Sequence, residues 1–370
     1  MAILESHTIG ILGGGQLARM FCLEAHNMGF NTVVYSPEHH NSSSQVCSEY
    51  IQGDWSDANR LKEFGDKCNV ITFEFENIPV ETLNLLPVCK VRPHTQVIKI
   101  CQDRILEKSF CQNLKIPTAP WKTIADLQQL EQFCQIHNYQ CVLKTTTLGY
   151  DGHGQAVISQ QSHVEQAYNK LSHQPLICEK KIKFVYELSM IVARNSQGDI
   201  QYLDPSVNHH RDQILYQSIV GMDLEPEILS QAQAHAISLA NGLDVVGLLA
   251  VEMFVLESGE VLVNELAPRP HNSGHWSMDG CIHSQFNLHI RAITGMPLLT
   301  PHRHSNVVMQ NLVGYQAQQQ FQQACGWENV RPHWYSKKQA TPGRKMGHIN
   351  KLYPLDHKLQ AKYHPLNLGT

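Results

Sequence analysis

The stretch from Gly247 to His275, GLLAVEMFVLESGEVLVNELAPRPHNSGH, narrows the possible folds most. Two runs of aliphatic and β-branched residues flank Ser258-Gly259, the pattern of a β-hairpin with a two-residue loop. If Glu257 closes that loop against Glu260, the register running back sets Glu252 directly opposite Glu265, on one face of the hairpin. Like charges so placed repel, and their neighbours are apolar, so the pair asks for a cation. Mg²⁺ suits it, because that ion takes one or two carboxylates and leaves its other positions to water and phosphate. The alternative is a hairpin whose acids face water, which describes Glu257 and Glu260 at the turn. Buried carboxylates persist only when paired or metal-bound, and this favours the metal for Glu252 and Glu265.

The chain opens with strand, glycine turn, helix and strand over residues 8–35, a βαβ beginning. Gly13, Gly15 and Ala18 fit the dinucleotide pattern GxGxxA, but the second strand runs into Tyr35-Ser36-Pro37 instead of the acidic residue that would hold a ribose. The glycines are better suited to giving backbone N–H groups to a single phosphate. Further on, NVITFEFENIP reads as a buried strand ending in Glu74, Glu76 and Asn77, at the carboxyl end where α/β sheets bind ligands. Glu76 is a ligand candidate, and Glu74 is either a ligand or solvent-facing. Helical spacing through Ile105, Leu106, Phe110 and Leu114 in VIKICQDRILEKSFCQNLK closes the first domain, and IPTAPW follows as an extended link.

Residues 121–185 read as a small α/β module. Within it CVLKTTTLGYDGHGQAVIS gives two strands around a loop whose Gly149, Gly152 and Gly154 let the backbone approach phosphates, with Lys144 supplying a point charge. Backbone groups of Glu179, Lys180, Lys181 and Ile182 are placed to meet a purine and Glu187 to meet ribose hydroxyls, while the lysines are also explained as a solvated edge. The tail offers a strand, SNVVMQNLVG, and a hairpin around Pro342-Gly343. Arg344 and Lys345 beside that turn are either anion ligands or surface charge, and spacing alone favours surface.

Composition removes several classes. A formal net charge of −4 gives no basic footprint for nucleic acid, and no apolar run reaches membrane-spanning length. The 11 cysteines are scattered and form no CxxC, and the 22 histidines include no HExxH, so neither supports a zinc motif. Cysteines scattered and odd in number, with no signal-peptide pattern, point to a reducing cytoplasm.

A lysine before a glycine loop, a purine-type segment and two carboxylates in late strands resemble the ATP-grasp superfamily. In order along nearly the whole chain, TIGILGGGQLARM, TFEFENIP, GYDGHGQ, ELSMIVAR and NELAPRPHNSGHW are similar to the 5-(carboxyamino)imidazole ribonucleotide synthases. That resemblance implies an α/β ATP-grasp fold: an N-terminal Rossmann-like domain (1–104), a small lid (105–185), a C-terminal α+β domain (186–300) and a β-rich extension packed on it (301–370).

The resemblance also implies the chemistry. Bicarbonate would attack the γ-phosphate of ATP, and the resulting carboxyphosphate would carboxylate the amine of aminoimidazole ribonucleotide. ATP would be held by Arg104 and Lys144, by the loop Gly149, Tyr150, Asp151, Gly152, His153, Gly154 and Gln155, and by the 179–182 segment, with Glu187, His210 and Asn264 beside it. Glu252 and Glu265 would carry Mg²⁺. Arg269, His271 and Lys345, with Asn272 adjacent, would cradle bicarbonate and carboxyphosphate. Tyr150 and Asp151 would face the imidazole, with Asp151 taking the amine proton, and Gly15, Gln16 and Glu76 would meet the ribonucleotide. The family further implies a homodimer and coupling to a downstream mutase.

The chain departs from the family where basic residues and a glycine usually precede the loop. Here the residues are Thr145-Thr146-Thr147-Leu148, and His153 stands where Lys or Arg is usual. Rival readings are a formate-using glycinamide ribonucleotide transformylase, a nucleotide sensor without turnover, and a dehydrogenase.

Overall fold

A computed structural model describes residues 7–149, 154–360 and 366. The glycine-punctuated opening folds into β1 (Thr8–Leu12), α1 (Gln16–Asn27), β2 (Asn31–Ser36), β3 (Glu49–Gln52), α2 (Ala58–Lys67) and β4 (Val70–Phe73). Its strands are parallel, in the order β3-β2-β1-β4. The chain moves outward from β1 to β3 and then crosses back to β4. The segments leaving β1 and β4, residues 13–15 and 74–77, therefore share the crevice at the topological switch point.

After α3 (Val80–Asn84), the stretch read as one helical segment is two helices, α4 (Thr95–Gln102) and α5 (Arg104–Asn113). The break is Asp103, whose backbone is extended and whose carboxylate accepts from the N–H groups of Ile105 and Leu106 at 2.8 and 3.0 Å. An aspartate so placed caps a new helix.

The second sheet is antiparallel. It comprises β5 (Trp121–Ile124), α6 (Leu127–Ile136), β6 (Cys141–Thr145), β7 (Gln155–Ile158), α7 (His163–Leu171) and β8 (Leu176–Lys180), with strand order β5-β8-β6-β7. Leu130 and Phe133 of α6 and Val164 and Leu171 of α7 pack with Leu143, Ile158 and Leu176 on one face. Tyr150, Asp151, Gly152 and His153, between β6 and β7, lie outside the described residues.

The remaining elements are β9 (Tyr186–Arg194), β10 (Ile200–Tyr202), β11 (Ser206–Arg211), β12 (Ile214–Val220), α8 (Pro226–Gly242), β13 (Gly247–Val255), β14 (Val261–Ala267), α9 (Ser277–Gly280), α10 (Gln285–Thr294), β15 (Asn306–Val313), α11 (Ala317–Ala324), β16 (Val330–Trp334) and β17 (Lys345–Tyr353). Their nine strands form one sheet, ordered β14-β13-β9-β11-β12-β15-β17-β16 with β10 on β9. Because β15 pairs with β12, the segments expected as 186–300 and 301–370 share this sheet. The hairpin expected around Pro342-Gly343 joins β16 to β17 through a longer loop, residues 335–344.

Strand alternation sends β13 to two different faces. Leu249, Val251 and Met253 pack with Ala232, Ala236 and Leu239 of α8, whereas Leu248 and Ala250 pack with Leu288 of α10. Glu252 and Phe254 continue the second row and line the cleft. His289 of α10 also meets Thr72 of β4, Nε2 to Oγ1 at 2.8 Å, tying the parallel sheet to the large one. Among the described residues no helix is long and apolar enough to cross a membrane.

Candidate active site

The hairpin register reaches the expected pairing by an unexpected route. Leu256 N–H donates to the Glu260 carbonyl at 2.9 Å, leaving a three-residue loop, Glu257-Ser258-Gly259, with Gly259 at φ +84°. A glycine in the left-handed region is what such loops use. From there Val255 faces Val261 and Met253 faces Val263, one residue out of step with the two-residue expectation. A β-bulge between Met253 and Glu252 then restores the step, so that Glu252 faces Glu265. Val263 and Leu266 both point into the core beside α8, while Asn264 and Glu265 both line the cleft.

Helix α5 holds that bulge at both of its backbone groups. Lys108 Nζ donates to the Asn264 carbonyl at 2.7 Å, and the Leu266 N–H donates to Glu107 Oε2 at 2.8 Å. Both side chains are almost wholly buried. Burial, opposed by Lys108 and reinforced by the Glu265 charge, pushes Glu107 up to about 8.

The cleft in front of the bulge has a volume of about 960 Å³, at the upper end of ordinary ligand pockets. From the second sheet Lys144 faces it, ion-paired with Glu179 at 3.0 Å, and Val142 and Val157 provide apolar wall. Lys180, Lys181 and Ile182 form the rim, where Phe184 stacks on Phe254 with ring centroids 4.8 Å apart. From the large sheet come Glu187, hydrogen-bonded to His210 Nδ1, and Glu252, Glu265 and Asn264. Arg104 reaches Glu265 at 3.4 Å. Burial, and after it the charge of Glu265, raises Glu252 to about 7. Hard oxygen donors held together against their own repulsion fit a divalent cation such as Mg²⁺.

At the inner end lies a second group. Arg269 makes a two-point pair with Glu76, Nη2 to Oε1 at 3.0 Å and Nε to Oε2. Burial would raise Glu76, but Arg269, by charge and hydrogen bonding, brings it below the usual carboxylate range. His271 is held neutral, its pKa well below the ordinary value, by burial and then by the Arg269 charge. Its Nδ1 accepts from Ser273 N–H at 3.3 Å, which leaves Nε2–H to face Glu252 Oε1 at 3.3 Å. Gln285 fixes the turn by accepting from His271 N–H and donating to its carbonyl, both at 2.8 Å. Next door, the buried side-chain oxygen and nitrogen of Asn272 have no hydrogen-bond partner among the described residues. Buried polar atoms left open on a cleft wall are what a ligand completes.

Three segments match known domain families: the ribonucleotide synthetase preATP-grasp domain over residues 6–102, the ATP-grasp domain over 109–286, and the phosphoribosylaminoimidazole carboxylase C-terminal domain over 307–362. The N5-carboxyaminoimidazole ribonucleotide synthase of Brucella melitensis is 38% identical, over 94% of this chain and 96% of its own. The chain belongs to the N5-carboxyaminoimidazole ribonucleotide synthase family. A solved ADP complex of such a synthetase is 37% identical, with a TM-score of 0.90 over 95% of this chain and 94% of the other. The Aspergillus clavatus synthase in complex with ADP and 5-aminoimidazole ribonucleotide is 27% identical, with a TM-score of 0.86 over 94% of each chain.

Set against the resemblance to this synthase family, the structure brings Arg104, Lys144, Gln155, Glu187, His210, Arg269 and Lys345 to one cleft with the paired glutamates. Gln16 and Glu76 line its inner end, but the Gly15 N–H is already engaged: it and Ala18 N–H donate to the Glu74 carboxylate, the latter at 3.1 Å. A Cβ on Gly15 would lie 2.6 Å from Glu74 Oε1, so a side chain there would displace that carboxylate. Glu74, left open between ligand and solvent, lines the cleft while its carboxylate accepts from the amides of the turn. Lys345, placed at the surface by spacing alone, lines the cleft, whereas Arg344 is exposed.

Two features escaped sequence reasoning. Phe254 shares a face with Glu252 two residues away, a signal that strand alternation did contain. Lys337 carried no such signal. Burial, then the charge of Arg344, lowers its ammonium to about 8, opposed by Glu74 and then Glu38.

Proposed function

We infer that the chain uses ATP and bicarbonate to carboxylate the exocyclic amine of 5-aminoimidazole ribonucleotide, giving N5-carboxyaminoimidazole ribonucleotide, ADP and phosphate. The observation that carries the residue assignment is the facing pair Glu252 and Glu265, part-buried at one cleft with Arg104, Lys144, Arg269 and His271. In this reading ATP lies along the second sheet, its base against Val142 and Phe254 and its phosphates toward Lys144 and Arg104. Glu252 and Glu265, with Asn264, hold Mg²⁺, which supplies charge neutralisation for the phosphates.

Phosphoryl transfer depends on positioning and charge more than on covalent chemistry. A bicarbonate oxygen, held by Arg269, Lys345 and the Nε2–H of His271, bonds to the γ-phosphorus as the bond to ADP breaks. Neutral His271 donates a hydrogen bond here without adding like charge to Arg269. The amine nitrogen then bonds to the carboxyl carbon, phosphate leaves, and Asp151 takes the amine proton. Asn272 supplies its open donor and acceptor to the same cradle. The ribonucleotide phosphate lies near Gln16 and Lys337, since Glu74 fills the glycine turn.

Homodimer formation, a cytoplasmic setting and hand-over of the product to a mutase belong to the same reading. The test is ADP release with MgATP, with bicarbonate and the ribonucleotide added separately and together. Release that requires the ribonucleotide, rises with bicarbonate, is not supported by formate and is lost in Glu265→Ala supports the reading. Binding of ATP without turnover in any combination replaces it with a nucleotide sensor.

A further inference from the structure

The second sheet buries something that ATP chemistry does not use. Cys134 on α6, Cys141 on β6 and Cys178 on β8 have no exposed surface, and their three sulfurs lie within 4.8 Å of one another. They are brought together from distant parts of the module. Leu143 pairs with Cys178, which puts Cys141 and Cys178 on neighbouring strands two residues out of step, with Cys134 above them on the covering helix. All three are free thiols. Thiolates about 2.3 Å from a bound ion stand about 4 Å apart in a trigonal array, so the cluster needs little adjustment to close on one.

Charge selects the ion. The sulfurs are packed among the aliphatic and aromatic side chains of Leu130, Phe133, Leu143 and Ile158, with His137 and Lys180 the cations that act on Cys141 from the edge of the cluster, and among the described residues no fourth His, Cys, Asp or Glu completes the group. A divalent ion on three thiolates leaves one net negative charge in that core, and a monovalent ion leaves two, each costly without solvent or a partner. A trivalent thiophilic element leaves none. We propose that Cys134, Cys141 and Cys178 form a three-sulfur site for a trivalent metalloid of the arsenite class. The step is an exchange without redox: As(OH)₃ and three thiols give As(SR)₃ and three waters, each S–H proton leaving with one hydroxide. The site stands independently of the reaction assigned above.

The test uses the full chain with exposed Cys89 and Cys325 changed to Ser, incubated with arsenite, freed of excess, and weighed by native mass spectrometry. One arsenic per folded chain is expected, and when loaded and arsenic-free chains are alkylated in denaturant the loaded one should show three fewer reactive thiols, which peptide mapping assigns to Cys134, Cys141 and Cys178. A competing small dithiol should reverse the uptake. Cys134→Ala, Cys141→Ala and Cys178→Ala, with folding checked by circular dichroism, should each weaken retention at least tenfold. Cadmium and zinc, tried in parallel, should be held less tightly than arsenite. No arsenic on the folded chain, protection mapping to other cysteines, or undiminished retention in all three variants overturns the site. Tighter retention of zinc or cadmium overturns the neutral-complex assignment. If an alanine variant does not fold, the thiol mapping on the Cys89→Ser, Cys325→Ser chain still decides.

Discussion

Two pairs of glutamates line the cleft of this protein, and they are solved in opposite ways. Glu74 and Glu76, leaving β4, are both answered from within: one by the amides of Gly15 and Ala18, the other by the Arg269 guanidinium. Glu252 and Glu265 face each other across a hairpin, with Arg104 on one of them and neutral His271 beside the other. The first pair is hydrogen-bonded within the fold, although burial still raises Glu74 above the ordinary carboxylate value. The second is short of positive charge, so burial and mutual repulsion lift Glu252 to about 7. Charge left unbalanced in a folded chain marks where something else binds.

The contrast can be broken by substitution. Glu265→Ala should cut ADP release by about 10²–10³-fold, the scale of losing a preorganised charge at a phosphoryl centre, with folding intact by circular dichroism. Glu76→Ala should act on stability as well as activity, lowering stability by about 3–5 kcal/mol in denaturant titration, because it strands the largely buried Arg269.

Glu252→Gln should stabilise the metal-free protein. A carboxyl whose folded pKa is raised contributes stability below its unfolded value, near 4.5, and loses it as pH rises through about 7. In EDTA the variant should therefore melt higher than wild type at pH 8, by at most about 3 kcal/mol, and show no such gain at pH 5. Equal melting at pH 8 would mean the pair is not strained. Lys108→Met should raise the Mg²⁺ needed for half-maximal activity and lower stability by about 1–3 kcal/mol, by orphaning the Asn264 carbonyl. Glu74→Gln should cost the least, about 1 kcal/mol, because an amide oxygen still accepts from the glycine turn.

The two pairs were not equally legible in the sequence. Strand alternation and a glycine turn were enough to place Glu252 opposite Glu265, yet the inferred loop was one residue short and the strand was taken as regular. The two departures cancel because the bulge is set by Glu107 and Lys108, side chains more than 150 positions away, and no local pattern reports that. Asp103 is different: an aspartate ahead of Ile105 and Leu106 is a readable cap, and it divides α4 from α5. Glu74 could not be assigned from sequence, since its partners are backbone amides on another strand's turn. Nor could the fate of β8 and β9, joined by residues 181–185 alone yet belonging to separate sheets.

The bulge at Asn264 has a consequence for how the chain can change its length. Along a strand, sidedness is a matter of parity, and this one residue resets it between Val263 and Leu266. Losing Asn264 would leave a regular strand, Val263 inward, Glu265 toward the cleft and Leu266 inward, whereas a strand that kept every residue but flattened the bulge would exchange the two rows and turn Glu265 toward α8. The same loss or gain within Glu257-Ser258-Gly259 would alter only the size of a loop. A chain lacking Asn264 should therefore keep Glu252 opposite Glu265 and lose only the fit of the bulge to Lys108 and Glu107.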